Sequence, residues 1–158
     1  NIGATNVLRA SGRGAAALTL LADALKGWVA AWGAGALGLG LWESCCAGLA
    51  AFLGHLFPLY LGFRGGKGVA TGAGVMAAFA PLVVLGCLGL FSLGVLLTRF
   101  VSVGSMLAAL GAPLGVALLG GKWPVLALAA AMACGILWRH RENLGRLRRG
   151  QERPLGGL

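Results

Sequence analysis

Gly72 to Thr98 reads GAGVMAAFAPLVVLGCLGLFSLGVLLT: 27 residues without a charge, with Pro81 a third of the way in. A helix that crosses a bilayer needs about 20 apolar residues, usually 17–25. The stretch is long for one span and short for two, so the reading of Pro81 decides the fold. Inside a helix a proline kinks or breaks it, whereas at the first helical position its missing N–H is an orphan anyway. Either one long tilted helix runs over 72–98, or two short helices, roughly Gly68–Ala80 and Leu82–Thr98, meet there. At 1.5 Å per residue the pair would reach about 20 and 25 Å.

Working outward, four more charge-free stretches appear: Gly27–Trp42 (16 residues), Ser44–Phe63 (20, interrupted by His55 and Pro58), Phe100–Gly121 (22) and Trp123–Trp138 (16). The first attains span length if it reaches back through Leu18–Leu21 with Asp23 and Lys26 on the helix. At i,i+3 those two can neutralise each other. Arg9, Arg13 and Lys26 precede the first stretch, and Arg64 and Lys67 follow the second. Arg99 follows 72–98, and Arg139, Arg141, Arg146, Arg148, Arg149 and Arg153 follow the last. Only Glu43 and Lys122 mark the other junctions. Placing all basic junctions on one side collects 12 of the 13 Lys+Arg there, and the positive-inside rule makes that side cytoplasmic. The chain then starts inside, leaves by Trp42 and returns by Phe63. To be inside again at Arg139 it needs an even number of crossings, and three stretches remain. Splitting 72–98 at Pro81 restores the parity and leaves Arg99 inside. The expectation is an all-α, polytopic membrane bundle of about six helical segments.

Composition agrees. Of 158 residues 58% are hydrophobic and 11% charged, with a mean hydropathy of +0.86, against about 25% charged in a soluble domain. Disorder is excluded, and four cysteines are too few for a disulfide scaffold. The 29 glycines suit close helix approach in lipid. Cys45, Cys46, Cys87 and Cys134 lack metal-ligand spacing and read as packing residues, with no metal site expected. The sequence opens at Asn1 without a signal-peptide pattern and reads as a fragment or as a chain shortened at its N-terminus.

In so apolar a chain the polar residues near the membrane are the functional suspects. They form three islands on the expected cytoplasmic side. The first, Asn1-Ile2-Gly3-Ala4-Thr5-Asn6-Val7-Leu8-Arg9, offers neutral donors and a forked cation suited to phosphate; an interfacial loop with a snorkelling arginine is the plainer alternative. The second is Gly54-His55-Leu56-Phe57-Pro58 with Phe63-Arg64-Gly65-Gly66-Lys67-Gly68-Val69-Ala70-Thr71. A Gly-rich loop carrying Lys67 and opening a helix is an anion-site pattern. It is not a Walker A loop, because Leu61 and Gly68 stand where Gly and Ser/Thr would be needed. His55 suits a substrate contact or a helix-end hydrogen bond equally. The third runs from Arg139 to Glu152. If the last helix continues, His140 and Asn143 share a face at i,i+3, beside arginines that a lipid-binding tail would also explain. Two islands suited to phosphate and a third with a titratable His beside an amide suggest chemistry joining a phosphorylated solute to a lipid. A transporter would place polar groups at mid-membrane, and a lipid-binding scaffold leaves the second island unexplained.

Asn-Ile-Gly-Ala-Thr-Asn-Val-x-Arg at 1–9, Gly-His-x-Phe-Pro with Phe-Arg-Gly-Gly-Lys-Gly-Val-Ala-Thr at 54–71, and His-Arg-x-Asn-x-x-Arg-Leu-x-x-Gly-x-Glu at 140–152 resemble the three signature motifs of the bacterial acyl-phosphate:glycerol-3-phosphate acyltransferases (the PlsY type). Asp23-x-x-Lys26-Gly27 and Ser102-x-Gly104-Ser105 are also similar to that family. The resemblance implies a seven-helix membrane fold. It also implies transfer of a fatty acyl group from acyl phosphate to the 1-hydroxyl of glycerol 3-phosphate, without cofactor, giving lysophosphatidic acid and phosphate. It marks residues 1–158 as a single integral membrane acyltransferase domain lacking the family's first helix and the Ser-Gly, with its active-site Ser, that opens the first motif. It places the protein in the bacterial inner membrane with its site facing the cytoplasm, and its partners as the two substrates and membrane lipid, not nucleic acid.

On that basis Lys67 and the Gly65-Gly66-Lys67-Gly68 backbone would cradle phosphate. Asn1, Thr5, Asn6 and Arg9 would complete the cradle, with His55 and Ser105 as further substrate contacts. His140 and Asn143 would orient the hydroxyl or carbonyl, and with Arg9 and Lys67 they make up the catalytic set. The candidate proton acceptors are His140 and a phosphate oxygen of the substrate itself. Asp23, Lys26 and Glu152 would be structural.

Overall fold

The computed structural model describes residues 3–155, apart from the side chains of Ala4 and Arg9. All regular structure among them is helical: α1 Ala4–Ala36, α2 Leu41–Leu56, a 3-10 turn Leu59–Leu61, α3 Val69–Phe79, α4 Pro81–Thr98, α5 Val101–Leu118, α6 Trp123–Arg139 and α7 Arg141–Arg148. The six expected segments are present, and α7 is a short seventh.

The break at Pro81 is real. Ala80 leaves the helical region (φ −147°, ψ 68°) and Pro81 starts α4, where it forfeits no hydrogen bond. The helix before it is shorter than expected. α3 has 11 residues, about 16 Å, because Gly68 enters it in the left-handed region (φ 82°) and Ala80 ends it. That cannot cross a core of about 30 Å unaided. Instead α3 wedges between α1, α2 and α6. Gly27 of α1 lies against the Thr71 carbonyl, and Gly74 lies against the Ala24 carbonyl so closely that a β-carbon at either would overlap it. This is the close approach that small residues allow in membrane bundles.

α1 is longer than the charge-free stretch suggests. It starts at Ala4 rather than near Leu18 and takes in the first polar island from Ala4 onward, with a bend at Gly12 (φ 84°, ψ −178°). Only glycine adopts that conformation readily. By length and apolar composition Ala10–Ala36, Leu41–Leu61, Pro81–Thr98 and Val101–Leu118 can each cross a bilayer, and α6 reaches the length of a fifth only when α7, bent away from it, is counted with it. Their large side chains face outward: Leu82, Leu96 and Leu118 are 68%, 76% and 75% exposed. Such a surface is a liability in water and the expected one in lipid. Phe52, Leu56, Val75, Met132 and Ile136 fill the interior.

The last helix does not continue. The chain bends by 49° between α6 and α7, and His140 (φ −95°, ψ 4°) closes one helix and opens the other. Beyond α7 the chain folds back, and the Leu155 N–H donates to the Arg99 carbonyl (2.7 Å). The C-terminal segment thereby holds the α4–α5 junction next to the end of α6. Arg99 and the arginines of the last island are gathered at one end of the bundle, as the charge grouping requires. Pro81 lies at the other end of α4, where Val83 packs on Gly115.

Candidate active site

Left-handed Gly62 (φ 56°) and Phe63 (φ 63°) turn the chain out of the 3-10 segment and into the loop that leads to α3. Gly65, Gly66 and Gly68 are buried. The Gly66 N–H donates to the His55 carbonyl (3.1 Å), and the His55 ring lies so close that a β-carbon on Gly66 would overlap Nε2. On the carbonyl side Arg139 forks onto the loop, with Nε donating to Gly66 O (3.0 Å) and Nη2 to Gly65 O (2.7 Å).

Lys67 points from this loop to α7, where Nζ donates to Asn143 Oδ1 (2.6 Å). The other end of that amide, Nδ2, donates to Glu152 Oε1 (2.5 Å). Glu152 also accepts from Ser102 Oγ (2.8 Å) and from Arg146 Nε (2.7 Å). Both ends of the Asn143 amide are thus committed, in the one orientation that matches a cation on one side and a carboxylate on the other. Burial pushes the Lys67 ammonium below its ordinary range; Glu152 opposes this, while Arg146 and Arg139 add to it. For Glu152 burial favours the neutral acid, but hydrogen bonds from Asn143, Arg146 and Ser102 outweigh it and hold the carboxyl below its usual range.

His140 is 2% exposed. Its Nδ1 is 2.8 Å from the Ile136 carbonyl. A carbonyl only accepts, so Nδ1 carries the hydrogen, and the neutral ring presents its lone pair at Nε2. His55 belongs to a second cluster. Lys26 Nζ donates to Asp23 Oδ1 (2.5 Å) and lies 2.7 Å from His55 Nδ1, and Asp23 Oδ1 is 3.3 Å from the same nitrogen. An ammonium only donates, so Nδ1 accepts and the hydrogen of a neutral ring sits on Nε2, the side facing Gly66.

The second and third islands therefore meet, and the Asp23–Lys26 pair forms as expected with His55 joined to it. Thr5 and Asn6 stand on the first turns of α1, before the bend at Gly12. Arg9 is on the same helix, its side chain not among those described, and Asn1 lies outside the described residues. Ser105 is buried and bonds within its own helix, to the Val101 carbonyl (2.9 Å); the serine that joins the network is Ser102. Sequence reasoning had Ser102 in the family-like stretch Ser102-x-Gly104-Ser105 but chose Ser105 as the contact, and it missed the loop contacts of Arg139. The choice between the two serines had only a faint signal, a hydroxyl in the opening turn of an apolar helix. Arg139 had none that set it apart from five neighbouring arginines.

An all-helical bundle with an apolar exterior and a half-buried network of cations, amide and carboxylate at one end defines an integral membrane protein with a polar site at its rim. The family model described as glycerol-3-phosphate acyltransferase matches residues 1–150, and the chain belongs to that family. The glycerol-3-phosphate acyltransferase of Aromatoleum aromaticum is 46% identical over 156 residues, covering 99% of this chain and 79% of that protein. That of Rubrobacter xylanophilus is 46% identical over 157 residues with the same coverage. A crystal structure of PlsY (YgiH), an integral membrane glycerol 3-phosphate acyltransferase, in its glycerol 3-phosphate form superposes with a TM-score of 0.93 at 39% identity, over 99% of this chain and 78% of that one.

Proposed function

We propose that the protein transfers a fatty acyl group from acyl phosphate to the 1-hydroxyl of glycerol 3-phosphate at the cytoplasmic face of a bacterial inner membrane. The hydroxyl oxygen attacks the acyl carbonyl carbon, the carbon–oxygen bond to phosphate breaks, and lysophosphatidic acid and inorganic phosphate leave. It is the first acylation of phospholipid synthesis. The observation that carries the reading is the meeting of Lys67 with Asn143, next to His140, at the end of the bundle where the arginines gather.

An acyl phosphate is already activated, so no covalent nucleophile is needed. What the reaction needs is placement of the hydroxyl and charge stabilisation on the departing phosphate. Lys67, with backbone N–H groups of Gly65 and Gly68, holds a phosphate; the Gly66 N–H already serves His55. Thr5, Asn6 and Arg9 close the cradle from α1, with Asn1 ahead of them. Asn143, whose Nδ2 keeps a second hydrogen beside the one given to Glu152, orients the hydroxyl, and Nε2 of His140 takes its proton. His55 acts on the substrate loop rather than at a distance from it. Asp23, Lys26 and Glu152 hold these groups in place.

The test is turnover of the full-length protein in nanodiscs with palmitoyl phosphate and radiolabelled glycerol 3-phosphate. Lysophosphatidic acid and phosphate should form one to one. Turnover with palmitoyl-CoA and none with palmitoyl phosphate would overturn the donor, and no acylated product with either would overturn the reading itself.

A further inference from the structure

We infer that Arg139 is a positioning residue that sets the Lys67 loop in register with His140 and Asn143. The inference rests on the function proposed above.

The loop has little to fix it locally. It has two adjacent glycines, follows two left-handed residues, and ends at left-handed Gly68. From one side His55 holds it, through its carbonyl and its ring. From the other the Arg139 guanidinium donates to two successive carbonyls, Gly65 O and Gly66 O. One planar fork on two neighbouring acceptors fixes both position and tilt of the peptide between them, which a point charge cannot do. Arg139 is itself set by the Phe57 and Trp138 rings, 6.0 and 5.9 Å from its Cζ.

Its place in the chain gives the contact its meaning. Arg139 is the last residue of α6, immediately before His140, and Asn143 follows one turn later. The segment around His140 therefore grips the loop at two points, Gly65–Gly66 by Arg139 and Lys67 by Asn143, with His140 between the two grips in sequence. A shift of the loop against α6 would move Lys67 relative to His140. Phosphate binding and proton transfer would then fall out of alignment together, and small misplacements are costly in such sites.

A basic residue at a helix end also serves for topology alone, and charge-preserving substitution separates the roles. Arg139→Lys keeps the charge and loses the fork. Its KM for glycerol 3-phosphate should rise about tenfold or more, with membrane insertion and detergent melting temperature unchanged. The decisive measurement is the double-mutant cycle with Lys67→Met. If Arg139 acts through the loop, adding Arg139→Lys to Lys67→Met should cost little further efficiency. Losses that multiply, or wild-type kinetics in Arg139→Lys, would overturn the positioning role. Should Lys67→Met itself retain normal kinetics, it is the phosphate reading of the site that fails, a distinct result.

Discussion

Lys67 and Asn143, 76 positions apart in sequence, meet at 2.6 Å, the ammonium donating to the side-chain carbonyl of the amide. The bond ties the loop ahead of α3 to the helix after α6, and Glu152 fixes the far end of the same amide. A charge moved or removed at either end is therefore felt at the other.

Lys67→Met removes a charge-assisted contact to phosphate of roughly 1.5–3 kcal/mol, a loss of about 10- to 150-fold in catalytic efficiency. Burial lowers the pKa of Lys67, so its charge is lost at lower pH than that of a free lysine. KM for glycerol 3-phosphate should accordingly climb with pH below the ordinary lysine range. In Lys67→Arg, whose guanidinium stays charged, that climb should vanish. Steady-state kinetics across pH check both; a lysine that only snorkels to headgroups would leave KM flat.

Glu152 accepts from Asn143, Ser102 and Arg146, and its side chain is 8% exposed. Glu152→Ala leaves three donors without their acceptor and should cost about 2–4 kcal/mol of stability. The pH sign follows from its lowered folded pKa. The stabilisation is complete above the ordinary glutamate range and fades as pH falls through the lower folded value. Wild type should therefore lose melting temperature in detergent as acid approaches that value, and Glu152→Ala should lose much less. Parallel curves would show that Glu152 is not the titrating support.

The parts of this fold legible in the sequence were those set by local chemistry. Pro81 interrupts an apolar run and suits a helix start. Asp23 and Lys26 are spaced to pair on one helix face. The basic junctions group on one end because a bilayer sorts charge. What was not legible depends on distant chain. Residues 139–148 contain good helix formers, and nothing local announces a 49° bend at His140. Ser102 and Ser105 sit one turn apart on α5, and which one meets Glu152 depends on the path of the C-terminal segment. For the same reason one arginine of six becomes the clamp on Gly65 and Gly66. α1 reaches Ala4 because its polar first turns are compatible with a helix that Gly12 can bend.

Topology can be checked directly. Single cysteines at positions 64, 99 and 141, on a background with Cys45, Cys46, Cys87 and Cys134 replaced, should resist a membrane-impermeant maleimide added to the periplasmic side. Cysteines at 43, 81 and 122 should react. Arg99 is the informative position, since the Leu155 N–H bond to its carbonyl places it with the C-terminal arginines. Periplasmic labelling at 99 would mean that α3 and α4 do not form an out-and-back pair.

The last prediction separates catalysis from lipid anchoring at the third island. His140 and Asn143 are buried, at 2% and 5% exposure, whereas Arg148 and Arg149 are exposed on the short helix and its cap. A polybasic anchor uses exposed charge and is indifferent to a buried imidazole and amide. A site that places a hydroxyl needs the buried pair and tolerates the loss of outer charge. His140→Ala and Asn143→Ala should each lower kcat by about 100-fold or more, the usual scale for a lost general base or positioning group, while inserting normally. Arg148→Gln and Arg149→Gln should alter kcat/KM by less than about fivefold, because exposed charges contribute under about 1 kcal/mol, and should act mainly through the anionic-lipid content of the nanodisc. The comparison is made at matched protein in nanodiscs with and without anionic lipid. Arginine variants that lose turnover beside histidine and asparagine variants that keep it would make the island a lipid anchor, and the reacting groups would then have to lie elsewhere.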